Sequence, residues 1–263
     1  MHRFFAPPEA TREPDVELSP AETRHALTVL RLRTGAQALV LNGAGDELLC
    51  EISDANRRPL RLRVLERRHL PAPPRAVTLL QALPKPRAMD LIVQKATELG
   101  ASRIVPLLTE RTVTQPDPAG GAHKLAKWHA VAIESVKQCG NPWLPAIEEP
   151  VTLTSFLARQ EPCELALVAS LHPGAQHPRT RFDEFRREHS RLPLSIALFV
   201  GPEGDFSPPE IDALTAAGAG PITLGPLVLR SDTAALACLI IALHETQPQA
   251  ESKVNLNSII RFR

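Results

Sequence analysis

Strand-like and helix-like segments alternate over residues 75–247, and this alternation restricts the fold more than any other feature of the sequence. Short apolar runs predict five strands, at 76–82, 103–108, 164–170, 195–200 and 222–224. Segments with helical periodicity are interspersed with them, at 88–99, 123–138, 154–160, 182–189, 208–217 and 233–245. Such alternation is typical of an α/β domain whose mostly parallel sheet is covered by helices on both faces.

A proline-rich stretch at 71–74 separates this domain from what precedes it, because successive prolines make a stiff linker. The preceding part holds strand candidates at 37–41, 46–53 and 60–64, with turn residues at 42–45. One helix begins at the capping sequence Ser19-Pro20-Ala21-Glu22. The sequence therefore predicts a small β-barrel domain over 1–72, an α/β domain over 75–247 and a flexible tail over 248–263.

Composition narrows the class of protein. No apolar run reaches the length of a membrane span, and the N-terminus lacks the pattern of a signal peptide. The four cysteines are scattered, with neither a CxxC pair nor a histidine cluster, so we expect a reduced, metal-free, cytoplasmic protein. An arginine-rich run at 57–68 has two readings, as a solvated strand face or as part of a nucleic-acid-binding surface.

Two loops carry the chemistry of the second domain. The GPEG loop, residues 201–207, follows the strand at 195–200, and the LVLR loop, residues 224–230, follows the strand at 222–224. In α/β sheets, ligands bind outside the carboxyl ends of the strands, so both loops are expected at one small-molecule pocket. Its charged groups are Glu203, Arg230 and Asp232.

Several common sites are excluded by the same sequence, which contains no P-loop, dinucleotide-binding, GxSxG or HExxH motif. The exposed backbone of the GPEG loop suits hydrogen bonds to a flat polar ligand such as a nucleobase. The alternative reading is a connecting turn in which Glu203 caps a neighbouring helix.

Motifs spread along the chain resemble those of the 16S rRNA (uracil-N3) methyltransferases, S-adenosylmethionine (SAM)-dependent enzymes of the SPOUT superfamily. The first half contributes His2-Arg3-Phe4-Phe5, His25 with Val29-Leu30-Arg31, Leu83-Pro84-Lys85 and Gln94-Lys95-Ala96-Thr97-Glu98-Leu99-Gly100. Later come Thr109-Glu110-Arg111, Trp128, Leu171-His172-Pro173 and the GPEG and LVLR loops. Single matches are weak, whereas their common order and spacing are specific.

The resemblance implies a SPOUT-type α/β domain with a trefoil knot, preceded by a PUA-like RNA-binding β-barrel, in a homodimer that methylates a uridine of 16S rRNA. It also implies a set of residues around SAM: Leu171, His172, Gly201, Pro202, Glu203, Gly204, Leu224, Gly225 and Leu229. Its candidate RNA contacts are Arg3, Arg24, His25, Arg31, Lys85, Arg87, Arg111, Lys137 and Asn141.

For the methyl transfer, Arg230 is the candidate for stabilising the uracil anion, because a guanidinium stays charged and donates two parallel bonds. The alternative role for Arg230 is a structural ion pair with Asp232 or Glu203. Either carboxylate is a candidate base, the alternative is that both only orient Arg230, and the choice stays open.

Two departures from the family pattern bear on specificity. Asp232 stands where the family usually has glutamate, and Asn141 stands where it has arginine, with Lys137 one helical turn earlier. These departures keep two alternatives open: a non-catalytic RNA-binding or ribosome-assembly protein on the same fold, and a SPOUT methyltransferase with a different RNA target.

Overall fold

The computed structural model describes residues 1–112 and 118–247, which form two compact units. The first unit comprises residues 1–72 together with 133–144, and the second comprises 73–132 together with the described residues from 145 onward. The tail predicted over 248–263 lies outside the described residues. Residues 133–144 contribute to the first unit, although they fall within the α/β domain of the sequence-based division.

The first unit is built on a five-stranded sheet with the strand order β1-β3-β4-β5-β2. Strand β1 pairs with β3 in parallel, and the other neighbours are antiparallel. The strands are β1 (His2–Phe5), β2 (Asp15–Glu17), β3 (Gln37–Leu41), β4 (Asp46–Ile52) and β5 (Arg61–His69). Helix α1 (Pro20–Arg24) continues into a π-helical turn at His25–Val29, and a 3₁₀ turn covers Pro8–Thr11.

The β3–β4 hairpin was predicted from its turn residues and is confirmed. Asn42 Oδ1 accepts hydrogen bonds from the backbone nitrogens of Ala44 and Asp46, and Gly43 has a φ of 76°. Phe4, Leu48 and Leu60 are fully buried in the core of the unit. Ser19 caps α1 through its hydroxyl, which accepts from Glu22 N at 3.2 Å.

The second unit holds a seven-stranded parallel sheet, in which β9 pairs with β7 beside the main strand order β12-β10-β11-β6-β7-β8. Its strands are β6 (Ala76–Ala82), β7 (Arg103–Leu108), β8 (Ala146–Ile147), β9 (Val151–Thr152), β10 (Leu165–Ala169), β11 (Ser195–Val200) and β12 (Gly220–Ile222). The helices that follow β6 are α2 (Pro86–Glu98), α3 (Pro118–Cys139), α4 (Leu153–Leu157), α5 (Pro178–His189), α6 (Pro208–Ala216) and α7 (Ser231–Thr246). Helix α3 begins in the second unit, and its residues from Ile133 onward belong to the first.

The predicted α/β architecture is thus confirmed, but the last strand lies at Gly220–Ile222, two residues before the predicted strand at 222–224. The last strand ends at Ile222 rather than at residue 224. Beyond Ile222 the chain turns away from β10, and Thr223 N donates to Gln176 O at 2.9 Å. Residues 223 and 224 therefore belong to the loop that leaves the sheet.

This topology brings three loops together. Strands β12, β10 and β11 are neighbours and parallel, so the segments that follow their carboxyl ends leave the same edge of the sheet. These are the LVLR loop, the GPEG loop and a third segment, residues 170–177, that we call the Leu171 loop. Strand β6 lies on the other side of β11.

Candidate active site

A pocket with an empty volume of about 530 Å³ opens at this edge of the sheet and is lined by all three loops. Its lining is mainly backbone and apolar side chain, with two carboxylates, Glu203 and Asp205. None of the described residues that line it is lysine, arginine or histidine. The pocket therefore suits a ligand that carries positive charge.

Most of the residues predicted to bind the cofactor line this pocket. They are Leu171, Gly201, Pro202, Glu203, Leu224, Gly225 and Leu229. The lining does not include His172 or Gly204. The His172 ring nitrogen Nδ1 instead accepts from Gly174 N at 3.1 Å, which closes the turn of its own loop.

The GPEG loop is held from two sides. Arg111 donates from Nη1 to the carbonyl of Gly204, and Glu203 Oε1 accepts from Lys85 N at 3.2 Å. Arg111 was predicted as an RNA contact, yet the structure gives its guanidinium this bond within the second unit. Glu203 was read alternatively as a helix cap, and its partner is indeed the N-cap residue of α2, although the side chain also lines the pocket.

Asp205 joins the GPEG loop to the Leu171 loop, a role that the sequence analysis did not identify. Its Oδ2 accepts from Leu171 N at 3.3 Å, and its Oδ1 accepts from Phe206 N at 2.8 Å. Its φ of 61° lies in the left-handed region, where aspartate is one of the better tolerated residues after glycine. A Cβ at Gly201 would lie 2.9 Å from Asp205 Oδ1, so the folded-back carboxylate requires glycine there.

The LVLR loop is much more open. Leu227 and Val228 expose 74% and 77% of their surface, and Leu171 across the pocket exposes 60%. Gly225 has a φ of 117°, and its N–H donates to Thr223 Oγ1 at 3.3 Å. Adjacent exposed apolar side chains beside a pocket are a common sign of a ligand or partner surface.

Arg230 and Asp232 flank the start of α7. Arg230 is its N-cap residue and is exposed, and Asp232 Oδ1 accepts from Thr233 N at 2.7 Å. Among the described residues, Arg230 makes no ion pair with Asp232 or Glu203, so the structural-clamp reading of Arg230 gains no support. The catalytic roles of Arg230, Asp232 and Glu203 stay predictions.

Three candidate RNA residues of the first unit have partners within that unit. Arg3 Nη1 donates to the carbonyls of Lys137 and Gln138 at 3.3 and 3.0 Å. Lys137 Nζ lies 2.7 Å from Glu22 Oε1 and 2.8 Å from Glu134 Oε1. Burial raises the pKa of Glu22 although Lys137 opposes the shift. Asn141 Oδ1 accepts from Trp143 N at 3.0 Å and so shapes the turn after α3.

The other candidate RNA residues differ in exposure. His25 is half-buried, and its ring makes an edge contact with the buried Phe4 at 6.4 Å between centroids. Arg24 and Arg31 are exposed on the first unit, and Lys85 and Arg87 are exposed on the second. RNA binding by any of these residues stays a prediction.

The arginine-rich run at 57–68 falls largely on β5, where acidic residues of neighbouring strands pair with it. Arg61 lies 3.2 Å from Glu17, and Arg63 lies 2.9 Å from Glu51. These cross-strand ion pairs favour the reading as a solvated strand face. Lys95 and Glu98 are three residues apart on α2 and form an ion pair at 2.9 Å, as side chains at this helical spacing can.

Neither a metal cluster nor a membrane span is found in the part of the chain that the structure describes. Its histidine, cysteine, aspartate and glutamate side chains form no group that could hold a metal ion. No described helix is both long and apolar enough to cross a bilayer. All four cysteines are free, and burial raises the pKa of Cys50 and Cys238 to about 12.

The fold and the pocket together define an α/β domain that binds a small ligand at the carboxyl edge of a parallel sheet. Family models agree with both units: residues 71–243 match an RNA methyltransferase domain, and residues 18–65 match an RNA methyltransferase PUA domain. The chain therefore belongs to the RNA methyltransferase family.

Relatives match over most of the chain. A "Ribosomal RNA small subunit methyltransferase E" of Synechocystis sp. is 33% identical over 241 residues, covering 90% of this chain and 76% of the relative. A protein of the same name from Mycobacterium bovis is 35% identical over 217 residues, covering 82% and 80%.

Solved structures show the same fold. A putative methyltransferase of Legionella pneumophila, in complex with SAM, has a TM-score of 0.81 and 32% identity, covering 92% of this chain and 96% of that one. A ribosomal RNA small subunit methyltransferase E of Neisseria gonorrhoeae, bound to SAM, has a TM-score of 0.79 and 25% identity, covering 93% and 97%. The trefoil knot implied by the resemblance stays a prediction.

Proposed function

We propose that this protein is a SAM-dependent methyltransferase that modifies the N3 position of a uridine in 16S rRNA. The observation that carries the proposal is the pocket at the carboxyl edge of the sheet, where the GPEG, LVLR and Leu171 loops meet. The similar proteins of Synechocystis and Mycobacterium are named as methyltransferases of small-subunit ribosomal RNA, and the similar structures from Legionella and Neisseria are bound to SAM.

The pocket fits SAM in charge and in polarity. SAM carries a sulfonium, an ammonium and a carboxylate group and so has a net positive charge, and the pocket presents the carboxylates of Glu203 and Asp205 without a basic side chain among its described lining residues. The exposed apolar groups of Leu171, Leu227 and Val228 would be covered by a flat ligand such as adenine. Gly201 and Gly225 line the pocket without a side chain of their own, which lets a flat ligand approach the backbone of both loops closely.

Bound SAM would supply a methyl group on a positively charged sulfur. The chain's own task is to align uracil N3 with that group and to assist loss of the N3 proton. Holding two reactants in attack geometry lowers a barrier by roughly 7–11 kcal/mol. As the proton leaves, negative charge spreads over the uracil oxygens, and we assign its stabilisation to the guanidinium of Arg230, which is exposed at the start of α7.

Two carboxylates compete for the role of proton acceptor. Glu203 lines the pocket, whereas Asp232 bonds to the first turn of α7 and does not line it. This placement favours Glu203. If Glu203 is the base, Glu203→Gln lowers kcat at saturating SAM far more than Asp232→Asn does, and the reverse order would assign the role to Asp232.

RNA recognition and assembly complete the proposal. The exposed cations Arg24 and Arg31 on the first unit, and Lys85 and Arg87 on the second, are free to meet phosphates at the surface. Arg3, Arg111 and Lys137 instead donate hydrogen bonds to other groups of the protein. We further propose that the protein is cytoplasmic and that it forms a homodimer. Sedimentation analysis of the purified protein tests the homodimer directly.

The proposal is tested by incubating the protein with SAM carrying a labelled methyl group and with small ribosomal subunits that lack the modification. Incorporation of label into 16S rRNA supports a methyltransferase. SAM binding without transfer to subunits or to naked 16S rRNA would instead indicate a non-catalytic RNA-binding protein on this fold. Transfer to a different RNA in the same assay would indicate another target.

A further inference from the structure

A buried polar pair, Gln81 and Ser231, connects the pocket to strand β6, and Ser231 itself lines the pocket. Gln81 is fully buried near the end of β6, and Ser231 is 6% exposed at the first position of α7. Gln81 Nε2 donates to Ser231 Oγ at 2.9 Å and to Ala82 O at 2.9 Å. The two residues are 150 positions apart in sequence, so their bond joins distant parts of the second unit.

The serine hydroxyl forms a second hydrogen bond, which connects the pair to the GPEG loop. Ser231 Oγ donates to the carbonyl of Gly201 at 3.0 Å, in a buried environment. Gly201 is the first residue of the GPEG loop, and Ser231 directly follows Arg230, the last residue of the LVLR loop. A single hydroxyl therefore joins the beginning of one pocket loop to the end of the other.

The amide of Gln81 determines the direction of this chain of hydrogen bonds. A hydroxyl has one hydrogen to donate, and Gln81 donates to Ser231 Oγ so that the serine hydrogen is directed to Gly201 O. Gln81 Oε1 is buried and accepts no hydrogen bond from the described residues, so only the donors of this amide are used. An apolar or acidic side chain at position 81 would lack them.

We propose that Gln81 and Ser231 are positioning residues of the cofactor site, which fix the GPEG loop against the start of α7. This proposal rests on the assignment of the pocket to SAM. The pair itself does not react. It keeps Gly201 at its place in the pocket wall and holds the backbone of α7 directly beside Arg230.

The cost of breaking the pair follows from burial. Removing the serine hydroxyl leaves the buried Gly201 carbonyl without this donor, and it leaves one Gln81 N–H only the long contact to Val200 O at 3.5 Å. Weakened or missing hydrogen bonds are costly for polar groups in a water-poor environment. The GPEG loop regains a partner only by moving, and that movement changes the pocket. Loss of the hydroxyl is thus expected to reduce cofactor affinity as well as stability.

The test measures SAM binding by calorimetry and the melting temperature for Ser231→Ala, Ser231→Thr and Thr246→Val. Ser231→Ala is expected to weaken SAM binding about tenfold, whereas Ser231→Thr, which keeps the hydroxyl, stays within about threefold of the parent. Thr246→Val is the matched control, because Thr246 donates a buried hydroxyl bond to Ala242 O at 2.6 Å near the other end of α7. It is expected to lower the melting temperature while leaving SAM binding unchanged.

A double-mutant cycle then tests whether Gln81 acts through Ser231. Gln81→Met is expected to weaken SAM binding about as much as Ser231→Ala, and the double variant little more than either one, because both remove the same connection. Additive effects would overturn the role of Gln81. Unchanged SAM affinity in a folded Ser231→Ala protein, or equal losses in Thr246→Val, would overturn the proposal as a whole.

Failure of the proposed function would look different. If the parent protein bound no SAM, the assignment of the pocket would fail. Hydrogen exchange of the backbone amides around 201–206 then tests the pair by itself. Ser231→Ala, but not Ser231→Thr, is expected to speed exchange there, and equal exchange in the two variants would show that the hydroxyl does not hold the loop.

Discussion

The GPEG loop and the LVLR loop border the same pocket, yet they are held in opposite ways. The GPEG loop is tied by Arg111, by the backbone of Lys85, by Ser231 and by the Asp205 bridge to Leu171. The LVLR loop exposes Leu227 and Val228 to solvent. The difference indicates that one wall of the pocket is fixed by hydrogen bonds to the rest of the second unit, whereas the other presents exposed apolar side chains to a ligand.

The cationic side chains of the first unit likewise divide into those bonded within the protein and those exposed to solvent. Arg3 and Lys137 are bound within the fold, while Arg24 and Arg31 are exposed. Replacing a residue that is hydrogen-bonded within the fold is expected to change stability. Replacing an exposed residue is expected to change binding or catalysis. The following predictions test this rule.

The largest effect is expected at Arg230, at the exposed end of the LVLR loop. Arg230→Ala should lower kcat roughly 100–1000-fold, the loss typical of removing a donor to a developing anion. Affinity for SAM, measured by calorimetry, should stay within about threefold, because Arg230 does not line the pocket. A collapse of SAM affinity would show that Arg230 is a structural clamp and would remove it from the reaction.

A smaller effect is expected from removing the hydrogen bond between Leu171 N and Asp205 Oδ2, which joins the GPEG loop to the Leu171 loop. Asp205→Gly suits the φ of 61° but removes the acceptor of Leu171 N, and it should weaken SAM binding about tenfold. Asp205→Asn retains an acceptor but loses the negative charge, and it should weaken SAM binding less than Asp205→Gly does. An equal loss of SAM affinity in the two variants, with affinity of the asparagine variant unchanged for the product, whose thioether sulfur is uncharged, would show that the carboxylate acts by charge instead.

Replacing the open apolar residues should affect binding modestly and stability hardly at all. The double variant Leu227→Ser, Val228→Ser is expected to weaken SAM binding about threefold to tenfold, because the ligand loses apolar contact area. The melting temperature of the protein without SAM should not change. A marked fall in melting temperature would contradict the description of this loop as open.

The smallest effect is expected in the pH dependence of the unfolding free energy, and it comes from Glu22, which pairs with Lys137 in the first unit. Burial raises the pKa of Glu22 above its ordinary value of 4.5, so this group stabilises the fold at low pH and its contribution declines as pH rises through its folded-state pKa. Glu22→Gln removes that decline. The difference in unfolding free energy between parent and variant, measured in urea from pH 4 upward, should therefore decrease as pH rises. An increase would mean that the ion pair with Lys137 outweighs burial.

Much of the architecture follows from the sequence because local signals and tertiary packing agree. The boundaries of β3, β6, β7 and β11 were predicted correctly, since each is an apolar run that ends at a turn residue or a capped helix. The short strands β1, β2, β8 and β9 were not predicted. They are four residues or fewer, and their pairing depends on neighbours distant in sequence.

The site was predictable where it lies on glycine-rich turns and less so where it depends on long-range bonds. The GPEG and LVLR loops stand out because they follow strands and carry unusual turn chemistry. Asp205, Gln81 and Ser231 carry no local signal of their roles, because their partners lie 34, 150 and 30 residues away. Local sequence likewise could not show that Arg111 bonds to Gly204.

Methylation of uridine N3 in 16S rRNA by this protein is tested most directly by mass spectrometry of nucleosides from small subunits that lack the modification, after incubation with the protein and SAM. A new 3-methyluridine is expected, and it should be lost when the Arg230→Ala variant replaces the parent protein. A methyl group on another base, on another uridine atom or on the ribose would contradict this assignment, as would unmodified RNA in the presence of a protein that binds SAM.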